Sequence, residues 1–197
     1  MTNADKIMKI ANENNGYITT KQVRDANIKT IELTRLVEQN KLERITRGYY
    51  AITNSFCDDY YKYQLKSKNC IFSHSTALYF YDLSDRTPLY FDMTVPVGYS
   101  GGLSKNKNIV LHYVKKDFLE LGLTTIESPF GMKLRVYDLE RTICDIVKYR
   151  KHMDKEIFTT ALKRYSKLKE KDLLKLMKYA KKLNIDKKVI EYMEVLL

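Results

Sequence analysis

Residues 16–52 read GYITTKQVRDANIKTIELTRLVEQNKLERITRGYYAI, and this stretch decides the architecture of the N-terminal part of the chain. Tyr17 and Ile18 form a short apolar lead-in. Thr19 or Thr20 can cap a helix over residues 21–26, because a hydroxyl accepts from the free N–H groups of a first turn. Asn27, Ile28 and Lys29 make a turn, Asn27 being a residue type that takes left-handed dihedrals readily. A second helix is expected over residues 30–39. At 100° per residue, Leu33, Leu36 and Val37 share one stripe that faces a core. Ile31, Thr34, Arg35 and Glu38 fall on the opposite side. An apolar Ile31 on a polar face is out of place on a solvated helix. It suits contact with a thymine methyl in a major groove, with Thr34 and Arg35 beside it for base edges or phosphates.

After that helix, residues 42–52 alternate polar and apolar, and Gly48 permits a sharp bend, so a hairpin is expected. Arg44 and Arg47 on it can grip phosphates or reach a minor groove. Helix, turn, helix and basic hairpin together make a winged helix-turn-helix. The candidate DNA-contacting set is Lys21, Gln22, Lys29, Thr30, Ile31, Thr34 and Arg35 for the groove, with Arg44 and Arg47 on the wing. The competing reading is an interaction module, since helix pairs of this kind also serve to dimerise or dock protein. Residues 4–14 place Ile7, Met8, Ile10 and Ala11 at helical spacing and stop at Asn14-Asn15-Gly16, giving a first helix that covers the core of the winged domain.

The chain has 197 residues, 44% hydrophobic and 30% charged, which suits one large or two small domains with a substantial core. The division expected is a winged domain over residues 1–54 and a second domain over residues 55–197. No apolar run approaches a membrane span of roughly 18 residues, and the opening MTNADKIMKIANENNG is polar and helical rather than a signal peptide, so a cytoplasmic protein is expected. Cys57, Cys70 and Cys144 are scattered without a C-x-x-C, which supports neither a disulfide framework nor a zinc finger. The formal charge of +11 favours polyanionic partners. Its distribution is uneven: a net +3 over residues 1–54, +2 over residues 55–150 and +6 over residues 151–197. The C-terminal helices therefore either add phosphate contacts, meet another partner, or simply present a solvated lysine face.

Beyond residue 54, Tyr60, Tyr61 and Tyr63 fit a connecting helix over residues 55–68, their rings free to stack on bases or to pack between domains. Residues 71–83 (IFSHSTALYFYDL) open with a capping signal, Ser73, and are expected to be helical through Tyr81. His74 lies in a C-x3-H spacing with Cys70, but no further ligands sit at ordinary spacing, so a hydrogen-bonded structural histidine is expected and no metal. Strands are expected over residues 89–97, 109–114, 123–128 and 132–137, with a hairpin turn at Ser128-Pro129-Phe130-Gly131. The glycine-bearing segment 96–102 is no phosphate-binding Walker loop, because no Gly-Lys-Ser/Thr follows it. Asp138 caps a helix over residues 139–150, and amphipathic helices follow over residues 155–167, 169–183 and 186–197. The fold class is thus α+β: a winged helix-turn-helix followed by a mixed α/β domain ending in a helical bundle. A different class of function, a metal-dependent nuclease, would rest on Asp82, Asp85 and Asp92. No Glu-x-Lys follows on a neighbouring strand to complete it, so no enzyme and no cofactor are expected.

The winged N-terminus, SHSTALYFYDLSDRTP (residues 73–88), VPVGYS (residues 95–100) and SPFGMKLRVYDLERTICDIVKYR (residues 128–150) together resemble the AbiEi family. These are the antitoxins of abortive-infection type IV toxin–antitoxin pairs, a form of phage defence. The resemblance implies a DNA-binding N-terminal domain and a C-terminal domain with antitoxin activity. It implies autoregulation too: a repressor binding inverted repeats in its own promoter. The partners implied are double-stranded DNA and a nucleotidyltransferase-like toxin, countered without a stable complex. The basic C-terminal helices lie outside the matching segments, so the neutralising surface has no assigned residues.

Overall fold

In the computed structural model, residues 1–54, 58–67 and 69–196 are described. Cys57 and the outer ends of the expected 55–68 helix lie outside them. The chain forms two compact units: residues 1–68 with 127–133, and residues 69–126 with 134–197.

The first unit begins with α1 (Asn3–Glu13), whose Thr2 and Asp5 form a reciprocal capping box. β1 (Tyr17–Thr19), α2 (Thr20–Asp25) and α3 (Ile31–Glu38) follow, then β2 (Leu42–Thr46) and β3 (Tyr49–Ile52). The small sheet has the order β1-β3-β2, with Tyr17 opposite Ala51 and Leu42 opposite Ile52. One core gathers Ile7 and Ala11 of α1, Val23 of α2, Leu33 and Leu36 of α3, with Ile18, Ile28 and Leu42. The expected stripe of α3 is therefore the buried one. Asn27 takes φ +57° at the turn, as its short polar side chain allows.

The connecting helix is shorter than expected: α4 (Asp59–Leu65), capped by Asp58, whose carboxylate accepts from the Tyr61 N–H. The Tyr17 hydroxyl donates to the Asp58 carbonyl at 2.9 Å, and the Tyr61 ring meets Tyr17 edge-on at 5.0 Å. Tyr61 thus packs inside the first unit. Residues 127–133 complete that unit with the expected turn: Gly131 N–H donates to the Ser128 carbonyl, and Ser128 Oγ accepts from Phe130 and Met132. Asn15 Nδ2 donates to the Phe130 carbonyl at 2.9 Å.

The second unit holds a five-stranded sheet of order β6-β5-β4-β8-β7. Its strands are β4 (Ile71–Phe72), β5 (Phe91–Pro96), β6 (Ile109–Val114), β7 (Leu123–Glu127) and β8 (Lys133–Tyr137). β4 runs antiparallel to β5 and parallel to β8, while β5 and β6 are parallel. The helix expected after Ser73 and through Tyr81 is present and one residue shorter, and a strand not expected from the sequence precedes it. Ile71 and Phe72 are strand, both fully buried, and α5 spans only His74–Phe80. A central strand buried on both faces shows no alternation, so its apolar pair reads like a helix start. Ser73 precedes α5 but makes no capping bond; its hydroxyl serves His74 and Thr94 instead.

α6 (Leu139–Tyr149) starts under the expected Asp138 cap. It is surrounded by α7 (Lys155–Lys167), α8 (Leu173–Lys182) and α9 (Asp186–Glu194). Ile143, Ile146 and Val147 of α6 share a core with Phe158, Leu162, Tyr165, Leu176 and Val189. α8 starts later than expected because Asp172, not a residue near 169, caps it by accepting from the Lys175 N–H. Glu140 is buried at 3% exposure, yet Lys175 Nζ lies 3.0 Å from it and from Asp138, which holds the lysine's pKa above its ordinary value despite the cost of burial. The secondary structure is mixed α+β, with helices closing the chain.

Candidate nucleic-acid interface

The geometry of the first unit follows from local sequence. Thr19 takes the β conformation and caps α2: its Oγ1 accepts from Gln22 N–H at 3.1 Å, while Gln22 Oε1 accepts from Thr19 N–H at 2.8 Å. Gln22 is thus half-buried with its amide oxygen engaged, and the groove candidate on α2 with a free head is the exposed Lys21. Lys29 is exposed in the turn. Thr30 precedes α3 in a helical conformation and makes no side-chain cap.

On α3 the outward row is Ile31, Thr34, Arg35 and Glu38, all exposed, Ile31 at 51%. The spacing i, i+3, i+4, i+7 is one helical face. Arg35 Nη1 donates to Glu32 Oε1 at 2.7 Å, an exposed pair that orients the guanidinium. Such a pair is worth about 0.2–1 kcal/mol, so a phosphate or a guanine edge can displace it at small cost.

The wing is built by β2 and β3. Arg44 is exposed on β2, beside a register irregularity between Arg44 and Thr46. Arg47 is exposed in the turn beside Gly48, which adopts φ +82°. The Gly48 carbonyl accepts from the Thr20 N–H at 2.9 Å, tying the wing tip to the first turn of α2. Two features escaped sequence reasoning. One is this tie, a backbone bond with no side-chain signature. The other is the ion pair of Lys62 on α4 with Glu43 on β2, at 2.7 Å, which braces the wing strand from 19 residues away.

Of the three acids of the nuclease reading, two have carboxylates engaged elsewhere, while Asp82 takes part only through its backbone carbonyl. The Asp82 carbonyl accepts from Arg164, the Asp85 carboxylate pairs with the same guanidinium, and Asp92 is buried and bonded to His112 Nε2 at 2.7 Å. Among the described residues no group of three or more His, Cys, Asp or Glu is arranged to hold a metal ion. His74 is a buried, hydrogen-bonded histidine, its Nδ1 2.9 Å from Ser73 Oγ. Among the described residues no helix is long and apolar enough to cross a membrane.

Residues 5–53 match the family model described as "Transcriptional regulator, AbiEi antitoxin". The N-terminal unit is AbiEi-like. The matched span takes in α1, the helix-turn-helix and the wing, so the family similarity and the candidate interface coincide. No curated protein matches the chain. Among solved structures, that of the RV2827C protein from Mycobacterium tuberculosis superposes with a TM-score of 0.67 at 10% identity, covering 95% of this chain and 74% of that one. At that identity the likeness is one of fold.

Proposed function

We propose that this protein is a transcriptional regulator of the AbiEi antitoxin type that binds double-stranded DNA through α3 and the β2–β3 wing. The observation that carries the reading is the outward face of α3. Ile31 is half-exposed between exposed Thr34, Arg35 and Lys29, within the segment that matches the regulator family. An apolar side chain set among polar ones on an exposed helix face suits a thymine methyl flanked by base edges and phosphates. Lys21, Thr30, Arg44 and Arg47 supply the surrounding contacts, with the Gln22 amide nitrogen as a further donor.

The DNA proposed is the protein's own promoter, read at inverted repeats. One small reader carries few base-edge residues, and each good bidentate contact is worth about 1–3 kcal/mol, so two copies on two half-sites are needed for a specific site. The role proposed is regulatory and non-enzymatic. The second unit is proposed to carry the antitoxin activity against a nucleotidyltransferase-like toxin, without a stable complex.

The test is binding of the purified protein to a labelled fragment from upstream of its gene and to a scrambled duplex, across a salt series. Preferential, salt-sensitive binding in two cooperative steps is expected. A single half-site that binds as tightly as the pair overturns the repeated-operator reading. Equal weak binding to both duplexes overturns specific recognition. Co-expression with the neighbouring gene tests the antitoxin role, with restored growth the expected result.

A further inference from the structure

β6 forms one edge of the sheet in the second unit, and among the described residues it pairs with β5 alone. The ladder fixes which of its backbone groups are used. The two strands run parallel with Phe91 opposite Ile109. Phe91 N–H donates to the Asn108 carbonyl and Val97 N–H to the Val114 carbonyl, both at 2.8 Å. Bonding residues alternate along a parallel pair, so Val110, His112 and Val114 turn their N–H and C=O groups toward β5. Leu111 and Tyr113 turn theirs outward. The outward Ile109 N–H is taken by the Asn106 carbonyl at 3.2 Å, whereas the N–H and C=O of Leu111 and Tyr113 have no partner among the described residues.

The space along that edge is open. A cavity of about 290 Å³ is lined by Leu111, His112, Tyr113 and Val114 in unbroken sequence, with α6 on its other side. Successive strand side chains point to opposite faces, so a cavity that meets four residues in a row lies along the rim of the strand. On the α6 side Arg141 Nε donates to Asp145 Oδ1 at 2.9 Å. The His112 ring is drawn inward: it stacks on His74 with centroids 3.5 Å apart and bonds to Asp92 at 2.7 Å. His74 opens α5 at φ +47°, an uncommon conformation for a residue with a Cβ. Tyr113 points to the opposite face of the sheet and is 53% exposed.

Sheet edges are normally blunted by a charge, a proline, a bulge or a short strand. β6 reads IVLHYV, without Lys, Arg, Asp, Glu, Pro or Gly, and its register with β5 runs unshifted from end to end. Such an edge is a template for another strand and calls for lasting cover. It is also complementary to itself, because its outward residues stand symmetrically on either side of His112. An antiparallel copy centred there brings Leu111 opposite the partner's Tyr113 and Tyr113 opposite the partner's Leu111. In that arrangement the two residues of each pair exchange both N–H···O=C bonds, so every outward group of Leu111 and Tyr113 is used. The exposed tyrosine ring then lies against a leucine, and Val110 meets a valine on the other face. A strand of different sequence would satisfy the same backbone groups only while it stayed bound, whereas a second copy is at hand wherever the protein is.

We propose that β6 is a dimerisation edge: two copies pair their β6 strands antiparallel about a two-fold axis at His112, joining their sheets into one. A contact of one strand on another is small beside the roughly 1,200–2,000 Å² of a stable interface, so the dimer is concentration-dependent. The edge lies wholly in the second unit, and the pairing does not rest on DNA binding by the first.

The test uses the full-length protein without DNA. Sedimentation equilibrium from micromolar to submillimolar concentration should show a reversible monomer–dimer equilibrium. Amide exchange followed by NMR should show Leu111 and Tyr113 gaining protection as concentration rises. Tyr113→Pro removes an outward N–H without taking a bond from the β5 ladder, the one setting in which a strand accepts proline. It should raise the dimer Kd about tenfold or more. Tyr113→Lys keeps that N–H at an exposed position but charges the edge, and it should weaken the dimer even if the proline variant does not fold. A protein that stays monomeric at every concentration overturns the proposal and leaves the edge to a strand of other sequence. A dimer that leaves both amides unprotected, or that forms equally well in Tyr113→Lys, also overturns it.

Discussion

The salt dependence of DNA binding separates the contacts of the wing from those of α3. Lys21, Lys29, Arg35, Arg44 and Arg47 are the exposed cations of the proposed interface. If each neutralises one phosphate, the slope of log K against log salt is about −4.5 per copy and about −9 for two copies on an operator. Arg47→Ala removes one such contact per copy, so the two-copy slope should become shallower by about 2. The wing survives the change, because Arg47 is exposed and the fold there rests on the Gly48–Thr20 bond. Ile31→Ala should leave the slope unaltered and cost about 1 kcal/mol, roughly fivefold in affinity, wherever the contacted base is thymine. The measurement is fluorescence anisotropy of a labelled operator over a salt series, for the wild type, Arg47→Ala, Ile31→Ala and an Arg44→Ala/Arg47→Ala double variant. If the double variant keeps the wild-type slope and affinity, the wing does not touch phosphate and the site assignment fails.

Other consequences concern stability and reactivity. Arg141→Leu leaves Asp145 buried and unpaired and should destabilise the second unit by about 3–5 kcal/mol in urea unfolding. Arg141→Leu/Asp145→Leu should recover much of that loss, and a double variant no better than the single one refutes the pairing argument. Burial pushes the Cys144 thiol up to about 12, so peptide mapping after native alkylation at neutral pH should find Cys144 unmodified. The His74 pKa is depressed in the folded protein, so the unfolded chain binds its proton first and stability falls as pH drops below about 6.5, by at most about 1.4 kcal/mol per pH unit. His74→Asn, a residue that tolerates the left-handed backbone, should flatten that decline in denaturation midpoints measured from pH 7 to 5; unchanged steepness refutes it. Gly48→Ala has space for its Cβ, 3.6 Å from Thr20 Oγ1, but must hold φ +82°. The backbone cost is about 1–2 kcal/mol, and the Thr20 amide should exchange faster with deuterated solvent.

The first unit was legible because its determinants are local. Thr19 three residues before Gln22, Asn27 at the turn and the Leu33–Leu36 stripe each act within one helical turn, and all appear as read. β6 was legible for the same reason, a run of six residues with clear punctuation. Ile71 and Phe72 were not, because strand pairing with β5 and β8 is a property of partners far along the chain. The late start of α8 reflects a choice between several polar residues, settled by which one reaches a free N–H. His74 showed no companions in sequence because His112 and His152 come from other elements. Their meeting at Tyr149 is made by the sheet and by α6. The roles of Lys21, Gln22, Lys29, Thr30 and the wing arginines toward DNA rest on the proposal above, since exposure alone does not choose a partner.

The membership of residues 127–133 in the first unit bears on how the protein is made. A ribosome delivers the helix-turn-helix and wing long before it delivers Phe130, the carbonyl that receives Asn15. At about 5–20 residues per second, several seconds separate the two events. The proposed DNA-contacting surface therefore emerges early as an unfinished body, and its last piece arrives only after most of the second unit's sheet has been synthesised. A fragment that ends before residue 127 reproduces that nascent state permanently. For the autoregulator proposed above, the chain would become a finished reader only when translation is well into the second unit.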